Sequence, residues 1–292
     1  TLEDLIMYSK GYRLIRDRNQ PGMPRQYSIV GKTGETITSL SGTADIVKYD
    51  FGYEIDPVWE AGNKNIPGIY IEFKEPWLNP KGFEQIVYDV LANTQDMNII
   101  EKPEPEDTPF YINNGTINVG NTNGKVILQT FSLESLVRVA EVFQGKVPMC
   151  FLLWKGTGAT DLTYDDPLGY ASFINLGVKY KAHFIGPCIA GAPNDYPELD
   201  QPWQDYLIHR AKMKNHPYTF DTYDQMAKYF GQYNFGVADG MFNPPYLDAL
   251  FTNHSDMSIN YMITHGWRKS PASQTLVDAR EVLRKLGYLD NN

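Results

Sequence analysis

The chain has 292 residues, 42% apolar and 21% charged, with 24 Gly and 19 Pro, a composition that belongs to a folded globular protein and excludes disorder and collagen. Its 26 Lys+Arg against 35 Asp+Glu leave a formal charge of −9, a field that repels phosphate backbones and anionic lipid, so no nucleic-acid partner is expected. The longest apolar run, Val147 to Trp154, falls far short of the roughly 20 residues of a membrane span, and the two cysteines, Cys150 and Cys188, are too few for a disulfide scaffold or a Cys-based zinc site.

In chain order, Thr1-Leu-Glu-Asp-Leu-Ile reads as a helix with Thr1 as its N-cap. Residues 10–67 are rich in Gly, Asn, Thr and Pro with weak strand signals, and read as a surface insertion. An apolar run at 68–74 predicts a strand, and the pattern at 83–93 a helix. A second insertion covers 101–125, opening on Glu-Lys-Pro-Glu-Pro-Glu-Asp-Thr-Pro. From there the predicted elements alternate: strand 126–131, helix 133–143 capped by Ser132, strand 149–154, helix 166–176, strand 182–187, helix 203–212, strand 214–220, helix 222–233 capped by Asp221, strand 247–252, and a last helix at 271–286. Most strands are near-continuously apolar, as parallel strands buried on both faces are. Such a βα array forms either a (β/α) barrel or a doubly wound sheet.

Glu72 and Lys74 stand two positions apart on one strand and so share a face. A carboxylate suits a divalent cation and an ammonium an anionic oxygen, and the end of a parallel strand is where such a pair is tolerated and used. His216 and Tyr218 form a second pair two apart, with Pro217 restricting the backbone between them. His183 lies in an apolar run and reads as core, while His209, His254 and His265 form no metal-ligand spacing. Neither a Gly-rich phosphate loop nor a Gly-x-Ser-x-Gly elbow occurs.

Six fragments in order, Gly68-Ile-Tyr-Ile-Glu-Phe-Lys-Glu-Pro76, Val126-Ile-Leu-Gln-Thr-Phe-Ser132, Pro148-Met-Cys-Phe-Leu-Leu153, Ile185-Gly-Pro187, His216-Pro-Tyr-Thr219 and Leu247-Asp-Ala-Leu-Phe-Thr-Asn253, together resemble the C-terminal two-thirds of a glycerophosphodiester phosphodiesterase. The resemblance implies a TIM (β/α)8-type barrel, of which this sequence holds about six βα units plus the two insertions, in one domain whose first two βα units lie before Thr1. It implies hydrolysis of a small-molecule glycerophosphodiester to glycerol 3-phosphate and an alcohol, with Ca²⁺ or Mg²⁺ as cofactor. Glu72 matches the metal-ligating Glu and Lys74 the Lys that contacts phosphate. His216 and Tyr218 fall where the family lines its pocket with His or Trp, which makes His216 a catalytic candidate and Tyr218 a substrate contact; Gln129 matches a strand residue near the substrate. An extracytoplasmic or secreted location is what the family suggests.

The family's His-Arg-Gly, Glu-x-Asp and His-Asp motifs, which supply two catalytic histidines and two metal carboxylates, have no counterpart in this sequence. Its Phe-Thr-Asp is Phe-Thr-Asn here, at Asn253. Two other readings therefore compete. A barrel glycoside hydrolase would use the 20 Tyr and 5 Trp together with carboxylates such as Glu72 and Asp248. A non-catalytic binding protein would keep the barrel without the histidines.

Overall fold

The computed structural model describes residues 1–15, 26–31, 36–37, 44–50, 52–55, 68–93, 112–113, 116–117, 126–154, 166–232 and 247–265. Helix α1 (Leu2–Ser9) opens on a reciprocal cap: Thr1 Oγ1 accepts the Asp4 N–H at 3.1 Å, and Asp4 Oδ2 accepts from the N-terminal amine at 2.8 Å. Within the 10–67 stretch, β1 (Tyr12–Ile15) pairs antiparallel with β5 (Gly52–Ile55), and β2 (Gln26–Gly31) lies between β3 (Thr36–Ile37) and β4 (Ala44–Asp50). The second stretch holds a short ladder of β7 (Ile112–Asn113) with β8 (Thr116–Ile117).

The rest of the described fold is α/β. Strands β6 (Ile69–Glu72), β9 (Val126–Thr130), β10 (Met149–Leu153), β11 (Phe184–Pro187) and β12 (Lys214–Asn215) form one parallel sheet in the order β12-β11-β10-β9-β6. Between them run α2 (Phe83–Asn93), α3 (Leu133–Phe143), α4 (Pro167–Lys179) and α5 (Pro202–Arg210). Each strand of the sheet pairs with the one before it, and right-handed crossovers in such an order put every helix on one face. The period-2 alternation of the strands then sorts their side chains. Leu128, Phe151 and Ile185 join Leu136, Val139 and Phe173 of the helices in the main core. Cys150, Leu152 and Phe184 form a separate cluster on the opposite face, with Tyr70, Phe131 and Tyr218 packed against it.

That second face is concave. Tyr70, on the first strand of the sheet, meets Phe251 of the last predicted strand at a ring separation of 4.8 Å. The run 247–252 itself is not a regular strand. It follows the extension of β12 through Asp248 N–H to Asn215 O at 3.0 Å, Phe251 N–H to Pro217 O at 3.0 Å and Phe220 N–H to Phe251 O at 2.8 Å. Pro217 has no N–H to give, so a continuous ladder cannot form there.

The predicted helix at 222–233 is α6 (Tyr223–Ala227) followed by a π-turn (Lys228–Gln232). Its cap is Thr222, whose side chain accepts from Gln225 N–H, and not Asp221, whose carboxylate is taken by Asn253. Ser132 and Asp166 cap α3 and α4 through their side chains. Helix α7 (Ser255–Thr264) follows, a segment the sequence pattern did not mark, and the predicted helix at 271–286 lies outside the described residues. Among the described residues no helix is long and apolar enough to cross a membrane.

Candidate functional site

Parallel strands point their C-terminal ends at one edge of the sheet, the edge where α/β folds build their sites. Here that edge holds a cavity of about 270 Å³ with Glu72, Gln129, Phe131, Tyr218, Phe251 and Asn253 among its walls. Three predicted site residues, Glu72, Gln129 and Tyr218, are thus brought together from strands far apart in sequence. Register explains two of them: Glu72 lies directly beside Gln129 in the β6–β9 pair.

Gln129 Nε2 donates to Glu72 Oε2 at 3.4 Å, and Lys74 Nζ lies 3.7 Å from Glu72 Oε1. Burial pushes the Glu72 carboxyl above its ordinary range, and the Lys74 charge and the Gln129 hydrogen bond only partly offset this. Gln129 Oε1 is buried and accepts no hydrogen bond. Lys74 itself is outside the cavity wall, its side chain 73% exposed. The carboxylate is therefore the fixed member of the pair and the ammonium the mobile one.

Tyr218 presents its ring to the cavity, because its hydroxyl donates to Leu153 O at 2.9 Å. Phe131 packs edge-on against that ring at 5.8 Å and closes one wall. Asn253 closes another, held by its backbone N–H and its Nδ2, which donate to the two oxygens of Asp221 at 2.8 Å each. An aspartate at 253 would set two carboxylates against each other, so this pairing accounts for the asparagine.

His216 does not reach the cavity wall. It sits one layer deeper on the same face of the chain as Tyr218, 6% exposed, stacked on Phe184 at 4.0 Å, with Nδ1 hydrogen-bonded to the Tyr70 hydroxyl at 3.1 Å. Burial lowers its pKa to about 4, so the ring is neutral at physiological pH. His183 is core, as expected from its apolar run: its Nδ1 accepts the Met149 N–H at 3.2 Å and burial lowers its pKa to about 3.

A second polar cluster lies at the other end of the strands. His209 on α5 bridges Asp205, 3.2 Å from Nδ1, and Asp248, 2.9 Å from Nε2. Lys214 Nζ and the Asn215 N–H also donate to Asp248, and Asn215 Nδ2 donates to Asp200 and Asp205 at 2.8 Å each. Burial alone would depress His209, but the two carboxylates outweigh it and carry the imidazole up to about 10. Asp248 goes the other way: burial would raise it, and His209, the Asn215 amide and Lys214 bring it down to about 2. These contacts join α5, β12 and the 247–252 run at the end of the strands away from the cavity.

Among the described residues no group of three or more His, Cys, Asp or Glu is arranged to hold a metal ion. Phe131 and Phe251 are not marked as site residues by the sequence, and Asn253 only as a departure from the family's motif. The signal was available, since Phe131 and Phe251 stand near the C-terminal ends of predicted strands and Asn253 just past one. No family model matches the chain, and no curated protein matches it.

Proposed function

We propose that the protein is a metal-dependent phosphoric diester hydrolase acting on glycerophosphodiesters, built on a (β/α)8-type barrel. The observation that carries the reading is a Glu72 carboxylate ending a parallel strand at a cavity, with the Lys74 ammonium 3.7 Å away and Gln129 beside it. The barrel reading is supported by the strand order and by the first strand's Tyr70 ring meeting Phe251 of the 247–252 run, with no ladder between them among the described residues. Two further strands between them would complete the usual eight.

Glu72 and Gln129 would hold the divalent cation, Ca²⁺ or Mg²⁺, through hard oxygen donors. Mg²⁺ is commonly bound by one or two carboxylates, with water and substrate phosphate oxygens completing the shell. The orphaned Gln129 Oε1 fits that role. When bound, such an ion withdraws charge from the phosphoryl oxygens. Lys74 neutralises charge on the same group from the solvent side. The rings of Tyr218, Phe131 and Phe251 pack on the carbon part of the substrate and keep water from that wall. Water adds to phosphorus, the P–O bond to the alcohol breaks, and glycerol 3-phosphate and the alcohol leave. The imidazoles that the family uses for proton transfer belong to motifs with no counterpart in these residues. His216 is not assigned that step, because it is buried beneath the cavity with Nδ1 committed to Tyr70.

Glu72 is the cavity's one carboxylate among the described residues, whereas glycoside hydrolysis takes a pair across the scissile bond. Asp248, the other candidate for that chemistry, is held by His209 and Lys214 at the opposite end of the strands. The test is choline release from glycerophosphocholine by the natural full-length chain with Mg²⁺ or Ca²⁺. Turnover is expected, abolished in Glu72→Gln and lowered about a hundredfold or more in Lys74→Ala. Reducing sugar released from a glycan, or phosphodiester bound without turnover, would replace this reading by the glycosidase or the binding protein.

A further inference from the structure

Strands β6 and β12 are the two outer strands of the parallel sheet, with three strands between them. No ladder joins them directly, so across the concave face they meet through side chains. On β6, Tyr70 stands two residues before Glu72; on the β12 segment, His216 stands two residues before Tyr218. Residues two apart share a face, so Tyr70 and His216 form the layer beneath Glu72 and Tyr218, which both line the cavity. In that lower layer the Tyr70 hydroxyl and His216 Nδ1 are 3.1 Å apart.

We propose that the Tyr70–His216 hydrogen bond is a tie across the sheet that sets the span between Glu72 and Tyr218, making both residues positioning residues of the candidate site. The contacts around the tie leave it little freedom. Phe184 of β11 stacks on the imidazole at an interplanar angle of 14°. Phe251 meets the Tyr70 ring edge-on, and the Cys150 thiol of β10 is a further hydrogen-bonding neighbour of the hydroxyl. Three groups from three segments thus hold the two bonded side chains. The tie is made by residues 146 positions apart in sequence, and it acts on the substrate only through the residues above it.

The kinetic arm of the test rests on the phosphodiesterase reading; the structural arm does not. Tyr70→Phe removes one oxygen and keeps the ring against Phe251, and His216→Phe keeps a ring against Phe184. His216→Asn keeps a polar group near the Nδ1 position and serves as the conservative rescue. In the full-length protein, Tyr70→Phe and His216→Phe are each expected to raise KM for glycerophosphocholine about tenfold or more. The double variant should be no worse than either single one, and His216→Asn should stay within about threefold of wild type. A fall in thermal midpoint with KM unchanged would mean that the pair merely packs, and would overturn the tie. If the wild type turns over no phosphodiester, the functional reading fails and the tie is judged by crystal structures of the wild type and Tyr70→Phe. A wider Glu72–Tyr218 gap in the variant supports it; an unchanged gap overturns it.

Discussion

Gly186 shows how little room the concave face leaves at single residues. A Cβ built there would meet Leu152 Cδ2 at 2.7 Å, Cys150 Sγ at 2.9 Å and the His216 carbonyl oxygen at 3.1 Å. Two of these neighbours are side chains that could shift only by disturbing the cluster under the cavity, and the third is backbone. Gly186→Ala is therefore expected to destabilise the protein by about 1–3 kcal/mol through overpacking, read as a lower urea midpoint with an unchanged slope. A variant as stable as wild type would mean that the layer beneath the cavity is loosely packed. The same crowding explains why Cys150 is inert here: fully buried, its thiol is pushed up to about 12, far from a reactive thiolate.

Among the elements, α5 depends most on electrostatics. Its Asp205 and His209 link it to Asp248 and to Asn215 on β12, so that one imidazolium joins a helix, a strand and the run at 247–252. The folded pKa of about 10 lies above the ordinary 6.5, so the contribution is fully present below pH 6.5 and fades as pH rises toward 10. Urea midpoints of wild type and His209→Gln should differ at pH 6 and converge near pH 10.5. A gap that stays constant with pH would show that His209 acts by packing alone. Asp205 and Asp200 oppose part of this gain. Both are pushed up chiefly by burial, and Asp200 also by Asp205, with the Asn215 amide shared between them.

At the scale of the whole molecule, the two buried neutral histidines weigh on acid stability. His183 and His216 hold pKa values of about 3 and about 4 because burial disfavours the charged ring. The unfolded chain takes both protons near pH 6.5 and the folded chain refuses them. Stability is therefore lost as pH falls from about 6 toward 4, by up to about 2.7 kcal/mol per pH unit when both sites differ fully. The raised Asp200 and Asp205 work against this loss, since a carboxyl that takes up its proton at a higher pH in the fold than in the unfolded chain favours the fold as pH falls. His183→Asn keeps an acceptor for the Met149 N–H and removes one of the two sites. It should make the acid limb of the stability curve shallower by about one proton's worth; a limb of unchanged slope would assign the loss to other groups.

What the sequence determined by itself was local. Thr1 and Ser132 mark helix starts because a side-chain oxygen must satisfy amides that no earlier turn can reach, and that chemistry is complete within four residues. The near-continuous apolar runs marked β10 and β11, whose residues are all buried, because a strand covered on both faces has no polar side to show. The same rule placed Glu72 at a strand end, where a charge can survive. Tertiary structure decided what those residues meet. Asp221 looked like a cap, and was taken by Asn253, 32 residues on, leaving the cap to Thr222. His216 looked like a catalytic group, and the curl of the sheet buried it against Phe184 and joined it to Tyr70. Local pattern fixes which face a side chain takes, but only the packing of strands far apart in sequence fixes what stands opposite it, as the Phe184 ring and the Tyr70 hydroxyl against His216 show.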